Sequence, residues 1–476
     1  MATPGNDKLI DMIKTGASMT LKQQLRLTID LSTPAILAQL SIIVMEYIDS
    51  SMVGQLGAND SASIGLVASS TWLFGGLLSA AATGFTVQVA HLLGANRSND
   101  ARSVLRQSLA SCMIFSVVLA LVGCLISGNL PHWLGGNDDI CHNSSRYFFV
   151  LSLFLPFLEI ELLAGGMLRS SGNMKVPGML NILMCVLNVM FNFLFIFPNH
   201  VITIGGHSVN VPGAGLGVIG AAMGTVLAEV ITCLLMLYFL LVKSRDLKLK
   251  GTRGSFAPTV DCLRKAVKIG SPIGFQQIMM CGAYIATIVI VAPLGSIAIA
   301  ANAFAVTAEG LCYMPGYGLA EAATTLVGQC TGANRRDLCK RFAHITVTLG
   351  ALSMTTLGVL MYIFAPQMMS IMSPVQEIVD MGAQCLRIEA WAEPLFGASI
   401  VCYGVMVGAG DTLIPSAMNL GSMWMVRITL AALLSPSQGL KGVWIAMCIE
   451  LWVRGIIFLI RLWSERWSKK SIISSS

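Results

Sequence analysis

Asp49 stands in Glu46-Tyr47-Ile48-Asp49, close to the end of a long apolar stretch. A carboxylate at hydrocarbon depth costs several kcal/mol unless it is paired, protonated or hydrated. Such a group exchanges a proton or holds a small cation. Asn181, Asn188 and Asn192 recur at i, i+7 and i+11 in a later apolar stretch. At 100° per residue they lie within about 20° of one line, so they form a polar stripe on one helix face. Thr225, after Gly217-Val218-Ile219-Gly220-Ala221, adds a hydroxyl. Asp49, Asn188, Asn192 and Thr225 are therefore read as one cation-handling set, suited to H+ or to Na+. The blander alternative has Asp49 capping a helix end near water and the asparagines gluing helices together.

Further ionisable and polar groups surround this set in sequence. Glu46 is three residues from Asp49 and shares its helix face. Two adjacent carboxylates suit a proton carrier; equally, Glu46 can face another wall. Tyr47, Gln39, Gln277 and Arg427 are candidates for a cation or substrate path, and Arg427 sits mid-span and needs an anionic partner. Glu450 and Arg454, at i and i+4, read as a self-neutralising pair. Glu159, Glu161, Glu309, Glu321, Arg387, Glu389 and Glu393 are other intramembrane or near-interface charges, which sequence alone does not rank. There is no P-loop, H-E-x-x-H, G-x-S-x-G or metal-ligand spacing, so neither an enzyme nor a resident cofactor or metal is expected. Gly408-Ala409-Gly410-Asp411 has the form of a protease G-x-G-D, but Ser170-Ser171-Gly172-Asn173 repeats it at a helix end, which indicates a turn.

These residues need a scaffold, and composition supplies its class. Of 476 residues, 55% are hydrophobic and 11% charged. Soluble domains carry roughly 25% charged residues. Apolar stretches of 18 or more residues recur, each long enough to cross ~30 Å of hydrocarbon. The chain is an all-α polytopic membrane protein with about twelve helices. Their expected cores are 31–52, 62–90, 106–127, 146–166, 177–197 and 217–242, then 266–292, 298–328, 343–365, 380–407, 414–434 and 441–463. The 13 cysteines include no C-x-x-C pair and read as small apolar packing residues.

Basic residues gather at one set of loops: Arg97/Arg102/Arg106, Arg169/Lys175, Lys243 to Lys265, Arg335/Arg336/Lys340/Arg341, and the tail with Lys469/Lys470. The positive-inside rule then places both termini in the cytoplasm of a cell (inner or plasma) membrane. The net charge of +6 is absorbed by these loops, and no nucleic-acid partner is expected.

The chain is also written twice. Gly94-Ala95-Asn96-Arg97 recurs as Gly332-Ala333-Asn334-Arg335, an offset of 332 − 94 = 238. The same offset carries Pro34 to Pro272, Gln39 to Gln277, Pro156 to Pro394 and Asn181 to Asn419. The expected organisation is a cytoplasmic segment (1–30), a first lobe (31–242), a linker (243–265), a second lobe (266–463) and a tail (464–476). The copies differ in length near 200–213, where Gly205-Gly206 and Pro212-Gly213 suggest a hairpin. Six spans per half makes the copies parallel repeats, the plan of transporters with a site between them. Asp49 faces Thr287, Asn188 faces Val426 and Asn192 faces Leu430, so the repeat fails in one direction and points to the first lobe.

Over about 30–460 the chain resembles the multidrug and toxic compound extrusion (MATE) family. The resemblance rests on the Pro34…Asp49 span, the doubled Gly-Ala-Asn-Arg loop, and Gly404…Gly408-Ala409-Gly410-Asp411-Thr412…Pro415. It implies two pseudo-symmetric six-helix lobes around a central cleft, and cation-coupled efflux of amphipathic or cationic drugs in exchange for H+ or Na+. Asp49 matches the family's span-one aspartate, Asn188 and Asn192 its span-five polar pair, and Thr225 its span-six threonine. NorM-type members have a span-seven glutamate and a span-ten aspartate where Met280 and Phe396 stand, so the chain looks closer to the DinF-type branch. A monomer in the bilayer is expected. The alternative is a lipid-linked oligosaccharide flippase, whose cleft would need several basic residues for a pyrophosphate; Arg427 and Arg387 are the available ones.

Overall fold

In hydrocarbon every backbone N–H needs an internal partner, so apolar chain crosses a membrane as helix. The computed structural model describes residues 4–204 and 207–469, and these are overwhelmingly helical. Spans 1 to 3 are Leu21–Gly54, Ala58–Gly94 and Ser98–Ile126. Span 4 is broken, Asp138–Leu153 then Leu155–Ser170, with a 48° bend. Spans 5 and 6 are Lys175–Ile196 and Gly217–Tyr238. Spans 7 to 9 are Val260–Val291, Ser296–Gly332 and Arg336–Met372. Span 10 is broken like span 4, Gln376–Glu389 then Glu393–Gly408, at 62°.

The remaining helical run, Leu413–Trp463, is 51 residues long. At 1.5 Å per residue that is roughly 77 Å, more than two membrane crossings. It is two spans joined at Gly439, whose φ of 61° and ψ of −143° interrupt the helix. We call them spans 11 and 12. Among the described residues, nine long apolar helices and two bent pairs thus make twelve crossings once this run is divided.

Several helices outrun their apolar cores. Span 1 starts at Leu21, where Thr20 and Gln23 form a capping box, well before residue 31. It runs on through Pro34, which leaves one helical hydrogen bond unmade. Ahead of it lies an amphipathic helix, Pro4–Lys14. The length difference between the copies is a β-hairpin, Pro198–Ile204 against His207–Ala214. Its connecting Gly205-Gly206, like Lys470 and the end of the tail, lies outside the described residues. We name the two ends of the bundle the basic end, with the Gly-Ala-Asn-Arg turns, and the hairpin end.

The lobes meet along spans 1 and 8, 2 and 7, and 2 and 8. At the basic end the contacts come in reciprocal pairs. A Cβ on Gly94 would stand 2.0 Å from the Gln329 carbonyl oxygen, and one on Gly332 would stand 1.9 Å from that of His91. Only glycine permits this approach of two helix backbones. The His91 ring nitrogen Nε2 lies 2.7 Å from the Gly408 carbonyl oxygen, and Gln329 donates to the Ser170 carbonyl at 2.8 Å. The offset of 238 converts each member of these pairs into the other. The amphipathic helix lies against spans 1, 2 and 8 here. Its Ile10 and Ile13 are buried in a cluster with Val327, Cys330 and Phe342. Its Lys14 pairs with Asp246 at 3.0 Å, and its Asp11 accepts from Arg245.

Candidate functional site

Span 1 brings Asp49 to the hairpin half of the first lobe, against spans 5 and 6. Asn192 donates to the Asp49 carboxylate at 2.8 Å and to the Asn188 side-chain oxygen at 3.0 Å. Asn188 donates to the Thr225 hydroxyl at 3.0 Å, and that hydroxyl donates to the Ala221 carbonyl. The four residues singled out by type and spacing therefore form one hydrogen-bonded chain across three helices. Asn188 and Asn192 are each 1% exposed. The stripe period puts both on the side of span 5 that faces span 6, where Gly224 has no side chain. A Cβ there would meet the Asn192 side-chain oxygen at 2.0 Å.

The arrangement brings together a half-buried carboxylate, two buried amide oxygens and a half-buried hydroxyl. The Asn192 side-chain oxygen is buried and accepts no hydrogen bond. An unsatisfied acceptor beside a carboxylate is what a proton or a dehydrated cation would complete. Tyr147, on span 4, lies within electrostatic reach of Asp49. Glu229 follows Thr225 by four residues on span 6, and Glu161 of span 4 reaches both Glu229 and Arg169. Sequence reasoning passed over Tyr147 and Glu229. The i+4 spacing of Thr225 and Glu229 was the available signal for the second.

A separate cavity of about 360 Å³ lies between the lobes. Gln39, Arg169, Tyr317, Glu321, Phe396, Asn419 and Arg454 are among its lining residues. Gln39 donates to Glu321 at 3.2 Å, and Arg169 approaches the same carboxylate at 3.8 Å. Both arginines that line it are paired, Arg169 with Glu321 and Arg454 with Glu450. The other path candidates lie elsewhere. Gln277 packs against Gly76 of span 2, while its neighbour Gln276 lines the cavity. One residue on a helix turns the side chain by 100°, so the repeat located the helix but not the face. Tyr47 reaches across to the Met372 sulfur at 3.7 Å, and Glu46 is exposed beside Asp49. Arg387 lies on the outer flank, 5.7 Å over the Tyr362 ring, away from the cavity.

Arg427 finds its anion in Glu450 at 3.3 Å, and Arg454 pairs with the same carboxylate at 2.7 Å. Ser422 donates to Glu450 at 2.6 Å. The helix widens to π-type turns over Ser422–Ile428, which carry Ser422 and Arg427. Beyond the hairpin the repeat offset becomes 442 − 217 = 225, from Gly217-Val218 and Gly442-Val443. Glu450 is then the partner position of Thr225, and Arg454 that of Glu229. Where the first lobe has its hydroxyl, the second has a carboxylate held between two guanidinium groups.

The duplication has an independent counterpart in comparison with known proteins. The MatE family model matches twice, over residues 34–194 and 272–433, whose starts differ by the same 238. The probable multidrug resistance protein YoeA of Bacillus subtilis is 23% identical over 393 residues, 82% of each chain. The probable multidrug resistance protein NorM of Thermotoga maritima is 22% identical over 452 residues, 94% of each. A crystal structure of MATE in complex with MaL6 superimposes with a TM-score of 0.85 at 20% identity, covering 98% of this chain and all of that one. That likeness supports the fold, twelve spans in two lobes. With the family model covering both lobes, the chain belongs to the MatE family and is a multi-pass membrane transporter.

Proposed function

We propose that this transporter exports amphipathic, cationic organic compounds from the cell in exchange for H+ or Na+ taken up at Asp49. The observation that carries the reading is the continuous chain Asp49–Asn192–Asn188–Thr225. It joins spans 1, 5 and 6, so a cation bound there pulls on three helices at once. Asp49 receives the ion, and Asn188, Asn192 and Thr225 supply neutral oxygens. Ion binding tightens the three spans, alters the wall that span 1 presents between the lobes, and weakens drug binding when the cavity faces outward. The multidrug-resistance names of the relatives support the substrate class. Met280 and Phe396, both at the cavity, support placement on the DinF-type branch. The positive-inside pattern puts the basic end and both termini in the cytoplasm, and the chain acts as a monomer.

The flippase alternative is not favoured, because the two arginines lining the cavity are already paired and Arg387 lies outside it. Purified protein in proteoliposomes, given an imposed Na+ or H+ gradient separately, identifies the ion. Asp49→Asn is expected to abolish gradient-driven efflux. Full coupled efflux by that variant at wild-type expression removes Asp49 from the mechanism.

A further inference from the structure

The repeat also fails in the opposite direction, in the second lobe. Both broken spans bend just before a proline, Pro156 in span 4 and Pro394 in span 10. The break in span 4 is flanked by Leu151 and Leu155. At the corresponding positions, 151 + 238 = 389 and 155 + 238 = 393, span 10 carries Glu389 and Glu393. Glu389 ends the first half-helix and Glu393 begins the second. Both are 0% exposed, and none of their four carboxyl oxygens has a hydrogen-bond partner. Discontinuous membrane helices are where transporters place ion sites, because the half-helix ends face inward there.

The charges around this break can be counted. Span 8 presents Glu309 and Cys312, span 11 Arg427, and span 12 Glu450 and Cys448. Cys385 stands one turn before Glu389 on the same half-helix. Tyr313 of span 8 stands between this group and Phe396 at the cavity. From span 9 comes only close packing, a Gly358 Cβ position 2.9 Å from the Glu393 side chain. Arg427 and Arg454 pair with Glu450, and Arg427 also lies within electrostatic reach of Glu309 and Glu389. Two guanidinium groups thus face four carboxyls, and neither Glu389 nor Glu393 forms a salt bridge or side-chain hydrogen bond. Among the described residues no three His, Cys, Asp or Glu side chains close on a common metal position.

We propose that Glu389 and Glu393, at the break in span 10, are a proton-binding site of the second lobe, separate from Asp49. Protons are the ligand because two guanidinium groups already serve as fixed cations there, and because the carboxyl oxygens lack the extra donors that a dehydrated metal ion requires. The two carboxyls stand on either side of the break, where one half-helix ends and the next begins. The two lobes then divide the work. The first offers an oxygen-rich site beside one acid, and the second stores protons on a pair of acids held near built-in arginines.

Dicyclohexylcarbodiimide tests this on the full-length protein in membranes. The reagent adds to a protonated carboxyl in an apolar setting, and the adduct is located by peptide mass spectrometry. Labelling is expected at Glu389 and Glu393, unchanged in Asp49→Asn and indifferent to Na+. It should fall about tenfold per pH unit above the titration midpoint. In proteoliposomes, Glu389→Gln/Glu393→Gln should bind drug normally but lose most of its acceleration by an imposed pH gradient. No labelling of either glutamate at acidic pH, protection by Na+, or full acceleration in the folded double variant overturns the site. The labelling readouts are independent of whether Asp49 couples, so failure here and failure of the Asp49 reading are told apart.

Discussion

A carboxylate, two amides and a hydroxyl were legible at the residue scale because each is an anomaly in an apolar helix. Asp49, Asn188, Asn192 and Thr225 lie on three spans and form one hydrogen-bonded chain; the stripe period and the failed repeat mark the first three, and Thr225 stands out as a hydroxyl after a run of small residues. Gly224 was not legible, since its role is an absence that only packing reveals. Gly224→Ala should push the Asn192 amide off Asp49 and cost about 1–3 kcal/mol. The expected outcome is a lower unfolding temperature, with gradient-driven efflux reduced as strongly as in Asn192→Leu, which copies Leu430 of the other lobe. Wild-type coupling in a well-folded Gly224→Ala would show that the contact is incidental. Glu450 is the complementary case in the second lobe. Glu450→Gln leaves Arg427 and Arg454 without their shared anion and should cost about 3–5 kcal/mol, read by thermal unfolding.

Elements follow from the sequence in number and order, but their interruptions do not. Hydropathy sees one apolar stretch at 380–407, while the chain bends 62° within the span that contains it. Pro156 and Pro394 matched across the repeat, which marked a shared feature without saying that it was a break. The 51-residue run of spans 11 and 12 shows the converse, a near-continuous helical stretch whose division rests on membrane thickness and the single break at Gly439. The glycines of span 2 and span 8 set how closely these elements meet. Gly94→Ala and Gly332→Ala each drive a Cβ into the opposing backbone, where no flexible side chain can yield. Each should destabilise by about 1–3 kcal/mol and lengthen the distance between spin labels at Arg97 and Arg335. An unchanged distance would mean that the lobes close elsewhere.

For the whole molecule the repeat describes the scaffold, and its failures describe the division of labour. The failures run both ways, which comparison of only the first lobe's polar residues with their partners conceals. The carboxylates of span 10 face leucines in span 4, and no polar residue in the first copy draws attention to them. The amphipathic helix Pro4–Lys14 has no counterpart in the repeat. It joins the linker through Lys14–Asp246 and the second lobe through Ile10 and Ile13. Removing residues 1–19 should loosen the basic end and speed hydrogen exchange at Val327–Thr331, measured by mass spectrometry. Unchanged protection there would make the helix an ornament of the surface.

The crossed contacts at the basic end also constrain how the protein is made. His91 belongs to span 2, but its acceptor, the Gly408 carbonyl, lies 317 residues further along the chain. At about 5–20 residues per second the wait is roughly 15–60 s. The buried apolar face of the amphipathic helix waits longer, because that cluster includes Phe458 and Leu462. This helix, which precedes every described span in the chain, is therefore among the last to be seated. Through that interval the first lobe must stand alone in the membrane, with its glycine face uncovered.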